Sequence, residues 1–284
     1  MLLCIDTGNT QTVIGLFDGS DLADHWRIAT VAERTADELA LMIQQFLGFH
    51  GFSFDAQITG VAIASGVPRV TGELRTMTER YFGFPPLVLE PGVRTGMPIL
   101  YDNPKEVSAD RIANAVAAYD LYGGPSIVVD FGTANTIAAI SEKGEYLGGA
   151  IFPGIEISMD ALFGRAAALR RVELVPPKHV IGKSTVESIQ SGCVFGYSGQ
   201  VDALVDRFRA ELGECTVLAR PAASPSRSWR SHARSSTTNP GSPCRACASS
   251  SKETGEQVSV AQLVSGGANG GRAPRRFAPR AGDK

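Results

Sequence analysis

The stretch CIDTGNT, residues 4–10, places an acidic residue and a glycine directly after an apolar run, and apolar residues resume soon afterwards. A second stretch, SIVVDFGTANTIAAIS at residues 126–141, repeats the arrangement, with its Asp 124 positions after the first. Each Asp-x-Gly sequence lies between two strand-like segments, which predicts two β-hairpins. One such turn alone is ordinary turn chemistry. The repetition of turn and flanking strands is what favours a functional interpretation.

The residues of the two turns suit a nucleotide polyphosphate. Gly8 and Gly132 let a ligand approach the backbone closely. Thr10, Thr12 and Thr133 supply hydroxyl groups beside backbone N–H groups, and loops of this kind can hold phosphate oxygens. The sequence therefore predicts two phosphate-binding loops that face each other.

The two turn aspartates need a different explanation, because a carboxylate and a phosphate repel each other. Asp6 and Asp130 suit a site in which a cation lies between them and the phosphates, bound either directly or through water. Together with the glycines, they predict that a nucleotide is held from both sides.

The whole chain has 284 residues, 43% of them hydrophobic, and a formal net charge of −2. This length predicts one large domain or two medium ones. The near-neutral charge does not indicate binding to nucleic acid or to a membrane surface. No apolar run approaches the roughly 20 residues of a membrane span, and the N-terminus lacks the basic region of a signal peptide. We therefore expect a cytoplasmic protein.

The last part of the chain differs from the rest. Residues 220–284 hold eleven Lys and Arg but three Asp and Glu, and no Val, Ile, Leu, Met or Phe occurs between Leu218 and Val258. Such a segment buries too little apolar surface to offset the entropy of ordering it, so we predict a disordered basic tail. Because the strand-like TVLA before it stops abruptly, a frameshift is one hypothesis for its origin, which the DNA sequence would test.

Hydrophobic periodicity predicts alternating strands and helices before the tail. Thr35 suits the N-cap of the first helix. A long helical segment at 185–212 is expected to be interrupted by Gly192, Gly196 and Gly199. The predicted strands are 1–5, 12–17, 58–64, 86–89, 126–129, 136–140 and 146–152, and the other predicted helices are 35–46, 71–81, 109–122 and 156–162. This order indicates an α/β protein.

The doubled turn resembles the actin-like, ribonuclease H-like fold of acetate and sugar kinases, Hsp70 and actin. The segment YDNPKEVSADRIANAVAAY at 101–119 narrows the resemblance, since it looks like the Tyr-x-Asn-Pro…Gly-Ala-Asp-Arg segment of type III pantothenate kinases. GGAIFPGIEISMDAL at 148–162 and GKSTVESIQSG at 182–192 match the same family in the same order. The resemblance covers about residues 1–218.

This resemblance implies an α/β fold of two actin-like subdomains with a nucleotide cleft between them. The N-terminal one would span residues 1–118, and the second, at 119–219, would be incomplete before the tail at 220–284. The implied activity is ATP-dependent phosphorylation of pantothenate, the first step of coenzyme A synthesis. It would need Mg²⁺ and a monovalent cation, K⁺ or NH₄⁺. The family works as homodimers, with pantothenate bound near the subunit interface.

The resemblance also implies roles for individual residues. Asp110 would accept the proton of the pantothenate hydroxyl, and Asp130 would ligate the monovalent cation. Without the motif, the preferred interpretation of Asp110 is an acidic residue favoured by the helix dipole, and Thr185 alone resembles an N-cap. The nucleotide would contact Asp6, Thr7, Gly8, Asn9, Thr10, Gln11, Thr12, Val13 and Thr133. Pantothenate would contact Tyr101, Ser108, Ala109, Asp110, Arg111 and Thr185.

The sequence departs from the family in two places. Ser108 stands where the family usually has Gly, and it would be strained if the backbone there had a positive φ angle. After TVLA the family continues with a Thr-Gly-Gly turn, whereas this chain continues with RPAASPS. These departures leave an alternative, a catalytically impaired or non-catalytic relative that binds nucleotide and pantothenate as a regulatory module.

Overall fold

Two β-sheets with flanking helices form the protein. The computed structural model describes residues 1–19, 21–90 and 93–220, with the backbone alone for residues 55, 56 and 220. The strands are β1 Leu2–Thr7, β2 Gln11–Asp18, β3 Asp21–Ala29, β4 Gly60–Ser65, β5 Leu87–Leu89, β6 Ser126–Asp130, β7 Ala134–Ile140, β8 Tyr146–Pro153 and β9 Thr216–Arg220. The α-helices are α1 Ala36–Phe49, α2 Phe54–Gln57, α3 Pro68–Phe82, α4 Ala109–Tyr122, α5 Ile155–Arg165 and α6 Thr185–Leu212, and a 3-10 helix spans Pro104–Glu106.

The two sheets share one topological plan. The first has the strand order β3-β2-β1-β4-β5, and the second has the order β8-β7-β6-β9. In the first, β1 pairs antiparallel with β2 and parallel with β4. In the second, β6 pairs antiparallel with β7 and parallel with β9. An antiparallel hairpin extended by a parallel strand therefore occurs twice, which confirms the predicted α/β fold with two actin-like halves.

Helix α4 lies between the two halves. It packs against β4 of the first sheet and against β6 and β7 of the second. Its buried residues Ile112 and Ala115 belong to one apolar cluster with Cys4 of β1 and Val128 of β6. Because α4 contributes to the cores of both halves, the predicted boundary at residue 118 stays a prediction.

The local signals explain the first helix well and the last one poorly. Thr35 caps α1 as predicted, through a reciprocal capping box with Glu38. The predicted interruption of the last helix is wrong, because α6 is continuous over 28 residues. A glycine costs a helix about 1 kcal/mol relative to alanine, and the buried side chains of Val194, Val201 and Val205 offset this cost on the inner face of α6.

Two strands show where sequence signals are weak and strong. β3 was not predicted, because most of its sequence DLADHWRIA is polar and exposed, although Trp26 and Ile28 pack against the core of the first half. Its position at the sheet edge comes from pairing with β2.

β9 agrees with the strand expected from TVLA. The predicted disordered tail was expected to begin at residue 220, but Arg220 belongs to β9; the rest of the predicted tail lies outside the described residues. Of the helices in the described ranges, none is long and apolar enough to cross a membrane.

Candidate nucleotide and substrate site

The first Asp-x-Gly turn joins β1 to β2 and is fixed by hydrogen bonds to the backbone of Gly8. The N–H of Gly8 donates to the carbonyl of Gln11 at 3.0 Å, and the hydroxyl of Thr30 donates to the carbonyl of Gly8 at 2.8 Å. A Cβ atom on Gly8 would lie 3.3 Å from the Gln11 carbonyl, so the turn is tight. Gly8, Asn9 and Thr10 are exposed at its tip.

The second turn joins β6 to β7 and has its own supports. The N–H of Gly132 donates to Oδ1 of Asn135 at 3.3 Å, and the N–H of Gly154 donates to the carbonyl of Thr133 at 2.9 Å. A Cβ atom on Gly154 would lie 2.1 Å from the Gly132 carbonyl oxygen. Only glycine can therefore stand at position 154 without moving this turn. Sequence reasoning did not single out Asn135 or Gly154.

The two turns touch each other. The hydroxyl oxygens of Thr10 and Thr133 are 2.9 Å apart and share a hydrogen bond. Asp6 and Asp130 occupy equivalent places at the ends of β1 and β6, where they pair with Val13 and Thr136 of the returning strands. The structure thus brings together the two turns that the sequence predicted to face each other.

Not every threonine of the first turn can present its hydroxyl to a ligand. Thr7 is 1% exposed and Thr12 is 3% exposed. The Thr12 hydroxyl lies 2.8 Å from that of Thr30, with which it shares a hydrogen bond. Thr10 and Thr133 are exposed, so they are the hydroxyls of this set that a phosphate group can reach.

The start of α4 holds the residues predicted to bind pantothenate. Ser108 is the N-cap residue, with φ −67° and ψ 154°, an extended conformation that any residue adopts. The strain considered for Ser108 is therefore absent. Its hydroxyl instead accepts a hydrogen bond from Nε of Arg111 at 3.1 Å. Asp110 is half-buried in the first helical turn.

Arg111 is buried rather than a solvated surface charge. Its side chain is anchored twice, by Ser108 and by the carbonyl of Glu106, which accepts from Nη2 at 2.8 Å. Beside it lies Tyr146, which is fully buried in the apolar cluster that contains Ile112 and Ala115 of α4. Burial raises the pKa of Tyr146, and the positive charge of Arg111 opposes that rise.

Tyr101 lies against the same region. Its ring meets that of Tyr146 edge to face, with 6.3 Å between the ring centroids. The adjoining backbone is fixed to β8, because the N–H of Leu100 donates to the carbonyl of Tyr146 at 2.8 Å. Tyr101 and the Ser108–Arg111 segment are therefore gathered around Tyr146, a residue that sequence reasoning missed.

One hydrogen bond connects this region to the second turn. Nδ2 of Asn114 on α4 donates to Oδ2 of Asp130 at 2.9 Å. Asp110 and Asn114 are four positions apart, so they lie on the same face of the helix. The face of α4 that carries Asp110 is therefore directed toward the carboxylate of Asp130.

Thr185 stands apart from the other predicted residues. It is the first residue of α6 and exposed. The N-cap of that helix is Ser184, whose hydroxyl accepts from the N–H of Glu187, so the N-cap interpretation of Thr185 is wrong. Within the described ranges, no hydrogen bond connects Thr185 to Tyr101 or Asp110.

The carboxylates of the two turns fit a cation that a nucleotide helps to bind. Groups of three or more His, Cys, Asp or Glu that could hold a metal by themselves do not occur in the part of the chain that the structure describes. Mg²⁺ in nucleotide sites commonly uses one or two carboxylates together with phosphate oxygens. Asp6 and Asp130, at the ends of neighbouring phosphate-binding turns, provide that kind of donor set.

The family model and three curated relatives that this chain matches carry the same description. The family model described as Type III pantothenate kinase matches residues 2–207. A type III pantothenate kinase of Streptomyces griseus is 58% identical over 227 residues, which cover 77% of this chain and 86% of the relative. One of Streptomyces avermitilis is 59% identical with the same coverage, and one of Moorella thermoacetica is 55% identical over 218 residues, which cover 77% of this chain and 85% of the relative.

Proposed function

The chain belongs to the type III pantothenate kinase family, and we propose that its cleft transfers the γ-phosphoryl group of ATP to the primary hydroxyl of pantothenate. The product is 4′-phosphopantothenate, and the reaction is the first step of coenzyme A synthesis. The observation that carries this assignment is the identity of more than half of the residues with relatives named as these kinases, over 86% of their length. We place the enzyme in the cytoplasm.

On the nucleotide side, the residues at 6–13 form the first phosphate loop and Thr133 belongs to the second. The hydrogen bond between Thr10 and Thr133 supports this assignment, because it places both exposed hydroxyls where one polyphosphate can reach them. Glycine at positions 8 and 132 keeps side chains away from the phosphates. The backbone N–H groups of the turns add donors.

Asp6 and Asp130 hold the cations of the reaction. Asp6 would hold Mg²⁺, which would neutralise charge on the phosphate oxygens, and Asp130 would hold a monovalent cation, K⁺ or NH₄⁺, which would add positive charge at the second turn. The ends of β1 and β6 fix both carboxylates in place, so little rearrangement is needed when the phosphates arrive.

On the acceptor side, Arg111 binds the carboxylate of pantothenate and Tyr101 covers the substrate. Two N–H groups of Arg111 are already used by Ser108 and Glu106, which fixes the plane of the guanidinium. The remaining N–H groups can meet a carboxylate in a charge-assisted contact.

Asp110 orients the acceptor hydroxyl and takes its proton. Phosphoryl transfer passes through a loose transition state, so a carboxylate close to the hydroxyl suffices and a strong base is unnecessary. The position of Asp110, one helical turn before Asn114, supports this role. The Asn114–Asp130 hydrogen bond directs that face of α4 toward the second turn.

We propose that the enzyme is a homodimer through the region of α5 and the start of α6. Large aliphatic side chains are exposed there: Ile157, Leu162, Val180, Ile181 and Val186. Exposed apolar groups of this kind mark protein contacts. A second copy bound there also explains the position of Thr185, which belongs to the pantothenate pocket near the interface. Ile181→Asp, at a side chain that is 82% exposed, is expected to give a monomer in sedimentation velocity.

The alternative of a non-catalytic binding module is not favoured. One of its two supports was the strain at Ser108, and the extended backbone there removes it. The other support, the altered sequence after TVLA, lies beyond the described residues.

The direct test is pantothenate-dependent release of ADP by the full chain with Mg²⁺ and K⁺. Asp110→Asn is expected to lower kcat by about 10²-fold or more while ATP binding is retained, and Asp102→Asn, at an exposed carboxylate in the same segment, is the control. Release of ADP that does not depend on pantothenate would overturn the proposed function. An unchanged kcat for Asp110→Asn would remove Asp110 from its role.

A further inference from the structure

The hydrogen bond between Asn114 and Asp130 connects two elements of the site, helix α4 and strand β6. Nδ2 of Asn114 lies 2.9 Å from Oδ2 of Asp130. Asn114 belongs to α4, one turn after Asp110, and Asp130 ends β6 immediately before the second phosphate turn. A change in the orientation of the Asp130 carboxylate would therefore strain or break a hydrogen bond to the helix that carries Asp110.

The donor to the Asp130 carboxylate is an uncharged amide rather than a cation. Asp130 is 7% exposed, and a buried carboxylate requires hydrogen-bond donors. A Lys or Arg at position 114 would supply a donor but would also neutralise the carboxylate and compete with a cation. The amide of Asn114 is uncharged, so it orients the Asp130 carboxylate without neutralising it. Donors of this kind commonly hold metal-binding carboxylates in place.

The surroundings of Asn114 argue against a purely local role. Its neighbours on α4 are apolar, and Ile112, Ala113, Ala115, Ala117 and Ala118 are all buried. Asn114 itself is half-buried, and the part of its amide that is removed from water needs a hydrogen-bond partner, which Asp130 provides.

We propose that Asn114 is a positioning residue that fixes the Asp130 carboxylate for the monovalent cation and couples the cation site to the start of α4. This inference rests on the proposed function, from which it takes the role of Asp130. It adds a residue that acts on the cation through Asp130 rather than by contact with substrate.

Asn114→Leu tests the inference, because leucine has a similar volume and no donor. The first measurement is calorimetric titration of the full chain with a non-hydrolysable ATP analogue and Mg²⁺, in KCl and in NaCl at equal ionic strength. The wild type is expected to bind the analogue more tightly in KCl. In Asn114→Leu this preference is expected to disappear, and half-activation of ADP release is expected to need about tenfold more K⁺.

Thr78→Val is the control variant. Thr78 is fully buried on α3, away from both turns, and its hydroxyl donates to the carbonyl of Leu74 at 2.8 Å. The control loses a buried hydrogen bond on a helix, so it is expected to lower stability and to keep the preference for KCl. Asn114→Ser, which is too short to reach Asp130, replaces Asn114→Leu if the latter does not fold.

The titrations distinguish failure of the role of Asn114 from failure of the role of Asp130. A variant at Asn114 that keeps the wild-type preference for KCl would overturn the inference and leave the proposed function intact. Affinity that falls equally in both salts would also overturn it, because a purely structural role predicts that result. A wild type that binds the analogue equally in KCl and NaCl would remove the role of Asp130 itself, and the inference with it.

Discussion

The substitution Gly154→Ala tests the placement of the second turn most directly. The backbone at Gly154 has φ −67° and ψ 161°, which any residue adopts, so the effect of an added methyl group is purely steric. That methyl would lie 2.1 Å from the Gly132 carbonyl oxygen and 2.5 Å from that of Thr133. Both are backbone atoms of the turn and cannot rotate away.

The expected loss of activity and of stability in Gly154→Ala follows from these distances. Relief of the overlap requires the turn to move by about 1 Å, and a misplacement of that size at a catalytic site costs about 10²-fold in rate. We expect kcat/KM for ATP to fall by about 10- to 100-fold and the free energy of unfolding to fall by about 1–3 kcal/mol. Coupled ADP release and urea denaturation measure the two quantities.

Gly164→Ala is the matched control on the helix that follows Gly154. A Cβ atom there meets no other atom within 4 Å, and alanine is expected to stabilise α5 by about 0.5–1 kcal/mol without an effect on kcat/KM. If Gly154→Ala lowered stability but kept the wild-type kcat/KM for ATP, Thr133 would not be part of the nucleotide site.

Three further predictions concern stability. Tyr146→Phe removes a buried hydroxyl that lies beside Arg111, whose charge and hydrogen bond both lower the pKa of Tyr146, so urea denaturation is expected to show a loss of about 1 kcal/mol; equal or higher stability would contradict this. Thr35→Ala is expected to cost about 1 kcal/mol through loss of the capping box, whereas a melting temperature equal to that of the wild type would show the cap to be unimportant. Burial raises the pKa of the Cys4 thiol from 9.0 to about 12, so the unfolded chain loses this proton first and stability falls as the pH rises from 9.0 toward 12. The fall is expected to be shallower in Cys4→Ala by up to about 1.4 kcal/mol per pH unit, and equal slopes would refute it.

The sequence was most informative where local patterns and the fold agree. The bounds of α4 were predicted correctly, because its apolar periodicity ends at the glycines after Tyr122. The prediction of two facing turns agrees with the contact between Thr10 and Thr133. β3 was missed, since most of its residues are polar and exposed and only Trp26 and Ile28 pack against the core, so that pairing with β2 contributes much of what holds it at the sheet edge.

The residues of the site that sequence reasoning missed act through contacts distant in sequence. Gly154 is required by the backbone of the second turn, and Tyr146 by the residues that gather around it. Asn114 had one signal that could have found it, a single amide in an otherwise apolar part of α4. The wrong interruption of α6 arose because helix propensity was weighed without the packing of its inner face.

The strand order of the two sheets has a consequence for synthesis on the ribosome. The first sheet takes all its strands from residues before position 90, whereas the second needs β9 at Thr216–Arg220 beside β6. At translation rates of about 5–20 residues per second, at least several seconds separate the emergence of β5 from that of β9. The first half of the nascent chain therefore has time to fold before β9 can pair with β6. During that interval one edge of β6 is unpaired, and chaperones can protect it from association with other chains.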